Sequence, residues 1–248
     1  MSSAKPVLAL LHGWGMNARV FDVLVALLAD DFEVRALNLP GHGGCAALPD
    51  NTLASWANDL VQQLPDHATL LGWSLGGQVA MRAALDFPHK ISRLILLSST
   101  PRFVAADDWV HGMAPADLDA FGVALLADPQ ATLLRFLSLQ TRGVADQKSL
   151  LQQLRMSLQS LPQADDMALS SGLAMLRDTD LRAELSRLEQ PTLVLHGAAD
   201  TLTPAGAGTW LAETLPAAQH VEWPRVAHAL HLSHSEAVAA AIKTFAHG

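Results

Sequence analysis

A serine in a glycine-framed turn is the strongest chemical signal in the chain. Ser74 lies in the segment Leu70-Leu-Gly-Trp-Ser-Leu-Gly-Gly77, where an apolar run leads into the serine and small residues follow it. In a G-x-S-x-G pattern between a strand and a helix, the serine occupies a strained turn that lifts its hydroxyl above the sheet. Gly72 and Gly76 are required because a Cβ there would collide with neighbouring backbone. The pattern indicates a nucleophilic serine, and an ordinary strand–helix turn is the alternative.

An aspartate and a histidine that could activate this serine follow later in the chain. A serine hydroxyl needs a nearby base, and the base needs a carboxylate that orients it. Asp200 follows the apolar run Thr192–His196, and His228 follows the run that ends at Trp223. Both would lie on loops at the carboxyl ends of parallel strands, where α/β sheets assemble their sites. We therefore predict a triad of Ser74, Asp200 and His228.

Other histidines compete for the role of the base. His231 and His234 lie within six residues of His228 and are the main alternatives. His12 and His196 follow apolar runs beside glycines, where we expect a histidine to serve the turn. We prefer His228 and keep its two near neighbours as alternatives.

Two further carboxylates and the one cysteine are weaker candidates for chemistry. Asp178 and Asp180 precede the stretch that leads to the Thr192 run, and helix capping or solvation explains them better than catalysis. Cys45 cannot form an internal disulfide, so it fits a reducing compartment and a small packed side chain rather than a nucleophile. Asp200 therefore remains the predicted acid.

Acyl transfer also needs backbone N–H groups that stabilise an oxyanion. Leu75, the residue after the serine, supplies one of them. The second is expected from Leu11-His-Gly-Trp-Gly15, because the two glycines let this loop curl until the Trp14 N–H faces the Ser74 hydroxyl. A glycine turn with a packed indole is compatible with this role, whereas the spacing lacks the lysine of a nucleotide-binding loop.

The elements that must position these residues alternate along most of the chain. The runs that read as strands, several of them continuously apolar, are Val7–Leu11, Phe32–Leu37, Thr69–Gly72, Ile91–Leu97, Thr192–His196 and His220–Trp223. Helical patterns are Ala18–Ala29, Leu53–Leu64, Gly77–Phe87, Ala205–Leu215 and Glu236–Ala246, the last preceded by a capping box of Ser233 and Glu236. The alternation predicts an α/β fold with a mostly parallel sheet and helices on both faces.

One long stretch interrupts this alternation. From about Pro101 to Arg177 there is only amphipathic helical pattern. The apolar faces would consist of Leu118, Phe121, Leu125 and Leu126, and of Leu150, Leu151, Leu154, Leu158 and Leu161. We predict that residues 1–101 and 178–248 form the core and that residues 102–177 form an inserted helical cap.

Composition narrows the class of protein further. The 248 residues are 50% hydrophobic and 16% charged, which excludes a disordered chain and fits one domain. The net charge of −8 argues against nucleic-acid binding. No run approaches the ~18 apolar residues of a membrane span, and the apolar run near the N-terminus is too short for a secretory signal. We expect a cytoplasmic monomer.

With these motifs in hand, the chain resembles the α/β-hydrolase superfamily. The resemblance rests on Gly72–Gly77, His12–Gly15, Asp200 and His228. Within the superfamily the chain is similar to carboxylesterases that hydrolyse the methyl ester of pimeloyl-acyl carrier protein in biotin synthesis. That closer similarity rests on Leu11–Asn17, Trp73, Arg135–Thr141, Ala227–Ala229 and Ser233-His234.

The resemblance implies roles for individual residues. Ser74 would be the nucleophile, Asp200 the orienting acid and His228 the base, while Trp14 and Leu75 would bind the ester carbonyl oxygen. An acyl channel under the cap would be lined by Phe136, Leu137, Ser138, Leu139 and Gln140. The substrate would be a methyl-capped seven-carbon acyl chain on the phosphopantetheine arm of acyl carrier protein. No metal or organic cofactor is implied.

A basic segment in the predicted cap could dock such an acidic carrier. Arg135, Arg142, Lys148 and Arg155 stand against one acid, Asp146, between residues 131 and 161. Lys148 and Arg155 are seven residues apart and share a helical face. On the charge pattern alone a solvated helix face is the preferred explanation. The resemblance in the adjoining segment Arg135–Thr141 reverses that preference and favours carrier docking.

Three departures from the family pattern are visible. The chain starts almost at the first strand, so we expect the family's leading strand or hairpin to be largely missing. Asn38 stands where the superfamily usually has aspartate, which concerns the loop more than the chemistry. The basic residues of the cap do not all fall where the family has them. The rival functions are therefore a promiscuous small-ester or lactone hydrolase without a carrier partner, and a receptor or scaffold that binds a ligand without turnover.

Overall fold

A computed structural model describes residues 5–247, and these residues contain one six-stranded parallel sheet. The strands are β1 Val7–Leu11, β2 Glu33–Leu37, β3 Ala68–Trp73, β4 Ile91–Leu97, β5 Thr192–Gly197 and β6 Ala218–Trp223. Their order in the sheet is β2-β1-β3-β4-β5-β6. The predicted α/β class with a parallel sheet is confirmed, and the bounds of β1 and β4 match the apolar runs to the residue.

Helices cover both faces of the sheet. They are α1 Asp22–Leu28, α2 Leu53–Gln62, α3 Leu75–Asp86, α4 Pro115–Ala127, α5 Pro129–Gln140, α6 Gln147–Gln159, α7 Asp166–Asp178, α8 Ala205–Thr214, α9 Leu230–Ser233 and α10 Ser235–His247. Side chains of α2, α3 and α8 form one buried cluster with alternate strand residues, and those of α1, α9 and α10 form the other. Because both faces of the central strands are covered, these strands are mostly apolar along their length rather than alternating apolar and polar.

Three local predictions are wrong. Cys45, which we expected to be packed, is exposed because its segment 43–47 is a surface loop. Leu126 is 84% exposed on α4, although Leu118, Phe121 and Leu125 of the same predicted face are buried. The capping box of Ser233 does not form, because Ser233 ends the short helix α9 and its hydroxyl bonds the ring of His234 instead.

Four helices, α4 to α7, lie between β4 and β5, where the sequence predicts an insertion. The two ends of this inserted segment lie side by side, since the Leu181 N–H donates to the Pro101 carbonyl at 3.0 Å. An ion pair of 2.8 Å between Arg102 and Asp180 joins the same two segments. Their division into a separate cap stays a prediction. None of the helices within residues 5–247 is long and apolar enough to cross a membrane.

Candidate active site

Ser74 occupies a strained turn between β3 and α3. Its φ of 57° and ψ of −122° lie in a region that side-chain-bearing residues seldom adopt. A Cβ on Gly72 would run into the backbone of Gly76, and one on Gly76 would run into the Leu11 carbonyl. The turn is held by Ser99 Oγ, which donates to the Ser74 carbonyl at 2.8 Å. These contacts present the serine at the carboxyl edge of the sheet.

Asp200 and His228 form a buried hydrogen-bonded pair at the same edge. His228 Nδ1 lies 2.7 Å from Asp200 Oδ2, and neither side chain is exposed to solvent. Because an ionised carboxylate only accepts, Nδ1 carries the proton and Nε2 is left as the acceptor. His228 Nε2 has no hydrogen-bond partner within residues 5–247. The indole of Trp73, the residue before Ser74, donates to the His228 carbonyl at 3.1 Å and so ties this loop to the serine turn.

The Asp200 carboxylate accepts several hydrogen bonds besides that of His228. Oδ1 accepts from the backbone N–H groups of Leu202 at 2.9 Å and Thr203 at 3.0 Å. Oδ2 accepts from the Thr203 hydroxyl at 2.8 Å. Burial by itself would raise the pKa of Asp200, but attraction to His228 and these hydrogen bonds outweigh it and hold the pKa below its usual range. The carboxylate is therefore ionised at neutral pH.

The two residues predicted to supply oxyanion donors belong to segments that meet at Ser74. Leu75 is the first residue of α3, so its N–H has no acceptor inside the helix. Trp14 follows Gly13, which packs so closely on the serine that an added Cβ would lie 3.0 Å from Ser74 Cβ. The Trp14 indole is buried and donates to the Leu169 carbonyl of α7 at 2.8 Å. This loop is therefore fixed between the serine and the inserted helices.

The rival histidines lie in other environments. His231 is buried against Trp73 and Phe21, with ring centroids at 4.5 and 5.3 Å, and neither ring nitrogen has a partner within residues 5–247. His234 is bonded to Ser233 at an exposed position. His12 accepts the Leu39 N–H and serves the turn as expected. Of the three neighbours His228, His231 and His234, His228 is the one whose ring bonds a carboxylate.

The rival acids serve ion pairs. Asp178 pairs with the adjacent Arg177 at 2.8 Å. Asp180 bonds Arg182 and Arg102, and these hydrogen bonds lower its pKa to about 2. Neither carboxylate bonds a histidine in the described part of the chain. Asn38, the departure from the usual aspartate, accepts the Ala18 N–H at 2.8 Å and so supports a loop.

Buried neutral histidines make the stability depend on pH. Burial lowers the pKa of His231 to about 3, while in the unfolded chain it returns to 6.5. Below pH 6.5 the unfolded state therefore binds a proton that the native state excludes, so stability falls with acidification from about 6.5 toward 3. Replacing His231→Phe is expected to reduce the loss of unfolding free energy between pH 7 and pH 4.5 by roughly 2–3 kcal/mol.

Urea unfolding of the parent and the variant at both pH values measures this difference. The matched control is His234→Phe, which changes an exposed histidine and should leave the pH slope as it is. Equal slopes for the parent and His231→Phe would contradict the assignment of a buried neutral ring.

The five residues of the predicted channel lie on α5 and face different directions. Phe136 meets the Trp14 indole edge-on, with ring centroids 5.0 Å apart. Leu137 is buried in the cluster on the opposite side of the helix, and the half-buried Ser138 bonds back to the Leu134 carbonyl. Leu139 lines a separate cavity, and Gln140 is buried. The prediction that the whole segment lines one channel is therefore too broad, because consecutive helical residues point about 100° apart.

The predicted docking residues are exposed on the inserted segment: Arg135 on α5, Arg142 in the turn after it, and Lys148 and Arg155 on α6. Arg135 and Arg142 line a cavity of about 330 Å³, and the Arg135 guanidinium stacks 5.0 Å from the ring centroid of Phe121. Lys148 and Arg155 both lie on the solvent side of α6. None of these four cations takes part in an ion pair within residues 5–247. They are available to an acidic partner.

Sequence reasoning missed three residues that fix the site. Ser99 supports the serine turn, Leu169 holds the Trp14 indole, and Thr203 bonds Asp200. A signal existed for Thr203, since a hydroxyl three residues after an aspartate commonly enters its turn. The other two are 25 and 155 residues from their partners, and no local pattern connects them.

A parallel sheet with a strained serine between β3 and α3, and a buried Asp–His pair beside it, defines an α/β hydrolase. The profile of the family described as alpha/beta hydrolase fold matches residues 6–237. An esterase from Exiguobacterium antarcticum shares the fold, with a TM-score of 0.89 at 23% identity over 99% of this chain and 93% of that one. The chain belongs to the alpha/beta hydrolase family.

Curated relatives narrow this class. The pimeloyl-[acyl-carrier protein] methyl ester esterase of Aromatoleum aromaticum is 41% identical over 98% of this chain and 99% of its own length. The esterase of the same name from Nitrosomonas europaea is 41% identical over 93% of this chain and 92% of its own. Identity at this level over almost whole chains places this protein in the family of these esterases.

Proposed function

We propose that this protein hydrolyses the methyl ester of pimeloyl-acyl carrier protein through an acyl-enzyme and releases methanol. The observation that carries the proposal is the buried hydrogen-bonded pair of Asp200 and His228. His228 Nε2 has no partner within residues 5–247, and the Trp73 indole ties the His228 loop to the Ser74 turn. The substrate is inferred from the relatives of that name at 41% identity. That the protein acts as a monomer in the cytoplasm stays a prediction.

In the first half of the reaction Ser74 attacks the ester carbonyl. His228 Nε2 takes the hydroxyl proton, and the ionised Asp200 stabilises the imidazolium that forms. The negative charge that develops on the carbonyl oxygen is stabilised by the backbone N–H groups of Trp14 and Leu75. His228 then gives its proton to the methoxide oxygen, so that methanol leaves and the acyl group remains on Ser74.

The second half repeats the relay with water. His228 Nε2 takes a proton from the water that attacks the acyl-enzyme, and the same N–H groups bind the oxyanion. Collapse of the intermediate breaks the bond to Ser74 Oγ, which recovers its proton from His228. The product is the free carboxylic acid on the carrier arm.

The acidic carrier would dock on the exposed cations Arg135, Arg142, Lys148 and Arg155. Complementary charge on an exposed surface raises the rate of encounter and lowers KM more than it changes the chemical step. The double variant Arg135→Glu/Arg155→Glu is therefore expected to raise KM for the methyl-pimeloyl carrier conjugate roughly tenfold, with kcat retained.

Methanol release from the conjugate, compared with hydrolysis of a short free methyl ester, tests both the substrate and the docking surface. Arg187→Glu is the control for a charge reversal at another surface site, because Arg187 precedes β5 and so lies near the opposite edge of the sheet. The double variant should leave hydrolysis of the short ester unchanged. A parent enzyme that prefers the short ester, with no effect of the double variant on the conjugate, would favour the promiscuous esterase instead.

A receptor or scaffold without turnover is the alternative outside enzymes. A burst of labelled acyl group on Ser74 would exclude it, since such a protein forms no covalent intermediate.

A further inference from the structure

Four hydrogen bonds hold the Asp200 carboxylate, and Thr203 donates two of them. Thr203 donates its backbone N–H to Oδ1 and its hydroxyl to Oδ2, at 3.0 and 2.8 Å. Leu202 N–H and His228 Nδ1–H complete the set. A carboxylate has room for about four hydrogen bonds. The group therefore cannot rotate without breaking at least one of them.

The Thr203 hydroxyl stands next to the hydrogen bond between Asp200 and His228. Its oxygen lies 3.3 Å from His228 Nδ1 and 2.8 Å from Asp200 Oδ2, and those two atoms are 2.7 Å apart. The Ser98 carbonyl is a competing acceptor at 3.2 Å. Because the carboxylate is charged and nearer, the hydroxyl proton is directed to Asp200.

The ring of His196 fixes the backbone of Thr203 by a hydrogen bond to its carbonyl. Its Nε2 lies 2.7 Å from the Thr203 carbonyl, which can only accept, so this nitrogen carries the proton and donates. His196 is fully buried at the end of β5, and its Nε2 is 3.8 Å from Asp200 Oδ2. Burial lowers the pKa of His196, which keeps the ring neutral beside the carboxylate. Thr203 is therefore fixed by its own backbone and not only by the contact with Asp200.

We propose that Thr203 is a positioning residue whose hydroxyl holds Asp200 Oδ2 in the direction that aligns His228 toward Ser74. The inference rests on the proposed function only for the Ser–His–Asp relay and not for the carrier-bound substrate. Thr203→Val keeps the shape of the side chain but leaves Oδ2 with one donor fewer. Oδ2 then keeps His228 as its one donor and can shift out of line while Oδ1 stays bonded to its two backbone N–H groups, so the alignment of the imidazole is lost in part.

The test uses the whole protein and a short chromogenic ester, which needs no carrier. Thr203→Val is expected to lower kcat roughly 10- to 100-fold, the rate equivalent of one hydrogen bond to a charged group, with KM unchanged. Thr203→Ser restores the hydroxyl and is expected to recover kcat to within about threefold of the parent. The low-field proton resonance of His228 Nδ1–H should be shifted or broadened in the valine variant and sharp in the serine variant.

Thr201→Val is the matched control, since it removes an exposed hydroxyl two residues away. The proposal is overturned if Thr203→Val keeps kcat within twofold and leaves the Nδ1–H resonance in place. It is also overturned if Thr203→Ser is as impaired as Thr203→Val, because the loss would then come from packing. Failure of the proposed function would be read separately, as ester hydrolysis that survives Ser74→Ala.

Discussion

Replacing Ser74→Ala is expected to lower the turnover of ester substrates by about 10⁶-fold, which is the loss found when the nucleophile of a triad is removed. The acyl group then has no serine oxygen to bind. The proposed oxyanion donors, the N–H groups of Trp14 and Leu75, can then stabilise only the intermediate formed by direct attack of water. Steady-state hydrolysis together with a search for labelled acyl-enzyme by mass spectrometry measures both consequences.

The fold of this variant should be unchanged, because the turn is held by its glycines and by Ser99 rather than by the Ser74 hydroxyl. Ser186→Ala, an exposed serine near the opposite edge of the sheet, serves as the control and should keep full activity. Activity of Ser74→Ala within tenfold of the parent would rule out Ser74 as the nucleophile.

Asp200→Asn is expected to lower kcat by about 10⁴-fold through the wrong histidine tautomer. Two backbone N–H groups point at Oδ1, so the amide oxygen takes that position and the amide NH₂ faces His228. Since the NH₂ group donates, His228 Nδ1 must accept, and its proton moves to Nε2. A protonated Nε2 cannot take the proton of Ser74.

Asp178→Asn provides the comparison, since it removes one carboxylate from a surface pair with Arg177. Thermal unfolding of both variants separates lost chemistry from lost stability. If Asp200→Asn retained more than a tenth of the parent's kcat, another carboxylate would have to orient the base.

The fold was predictable because its central strands carry strong signals. β1 is a continuous apolar run and β4 ends in one, and the predicted bounds of both strands match the observed bounds. The edge strand β6 pairs with one strand and is only partly buried. The sequence pattern therefore does not mark its first two residues, Ala218 and Gln219, as part of the strand. Edge strands give weaker signals because fewer of their side chains pack in the core.

The site was predictable only in part, because its pieces come from distant segments. The turn around Ser74 has a local pattern, since the spacing of its glycines is visible in the sequence, although Gly76 is required by its contact with Leu11 of the neighbouring strand β1. The choice between His228 and His231 has no such pattern. It depends on which ring faces the carboxylate at the end of β5, and Trp73 packs on both rings. The position of His228 after the last predicted strand favoured it as the base but left His231 and His234 as alternatives.

The contact between Pro101 and Leu181 bears on how this protein could acquire new substrates. The ends of a segment of about 80 residues meet at a distance of one hydrogen bond, so the stretch between them closes no gap in the sheet. If another segment of different length replaced this one, the entropy cost of bringing its two ends together would change little, since that cost grows only with the logarithm of the segment's length. We therefore expect that recombination at these two points exchanges the helices α4 to α7 while the loops that bear Asp200 and His228 keep their places.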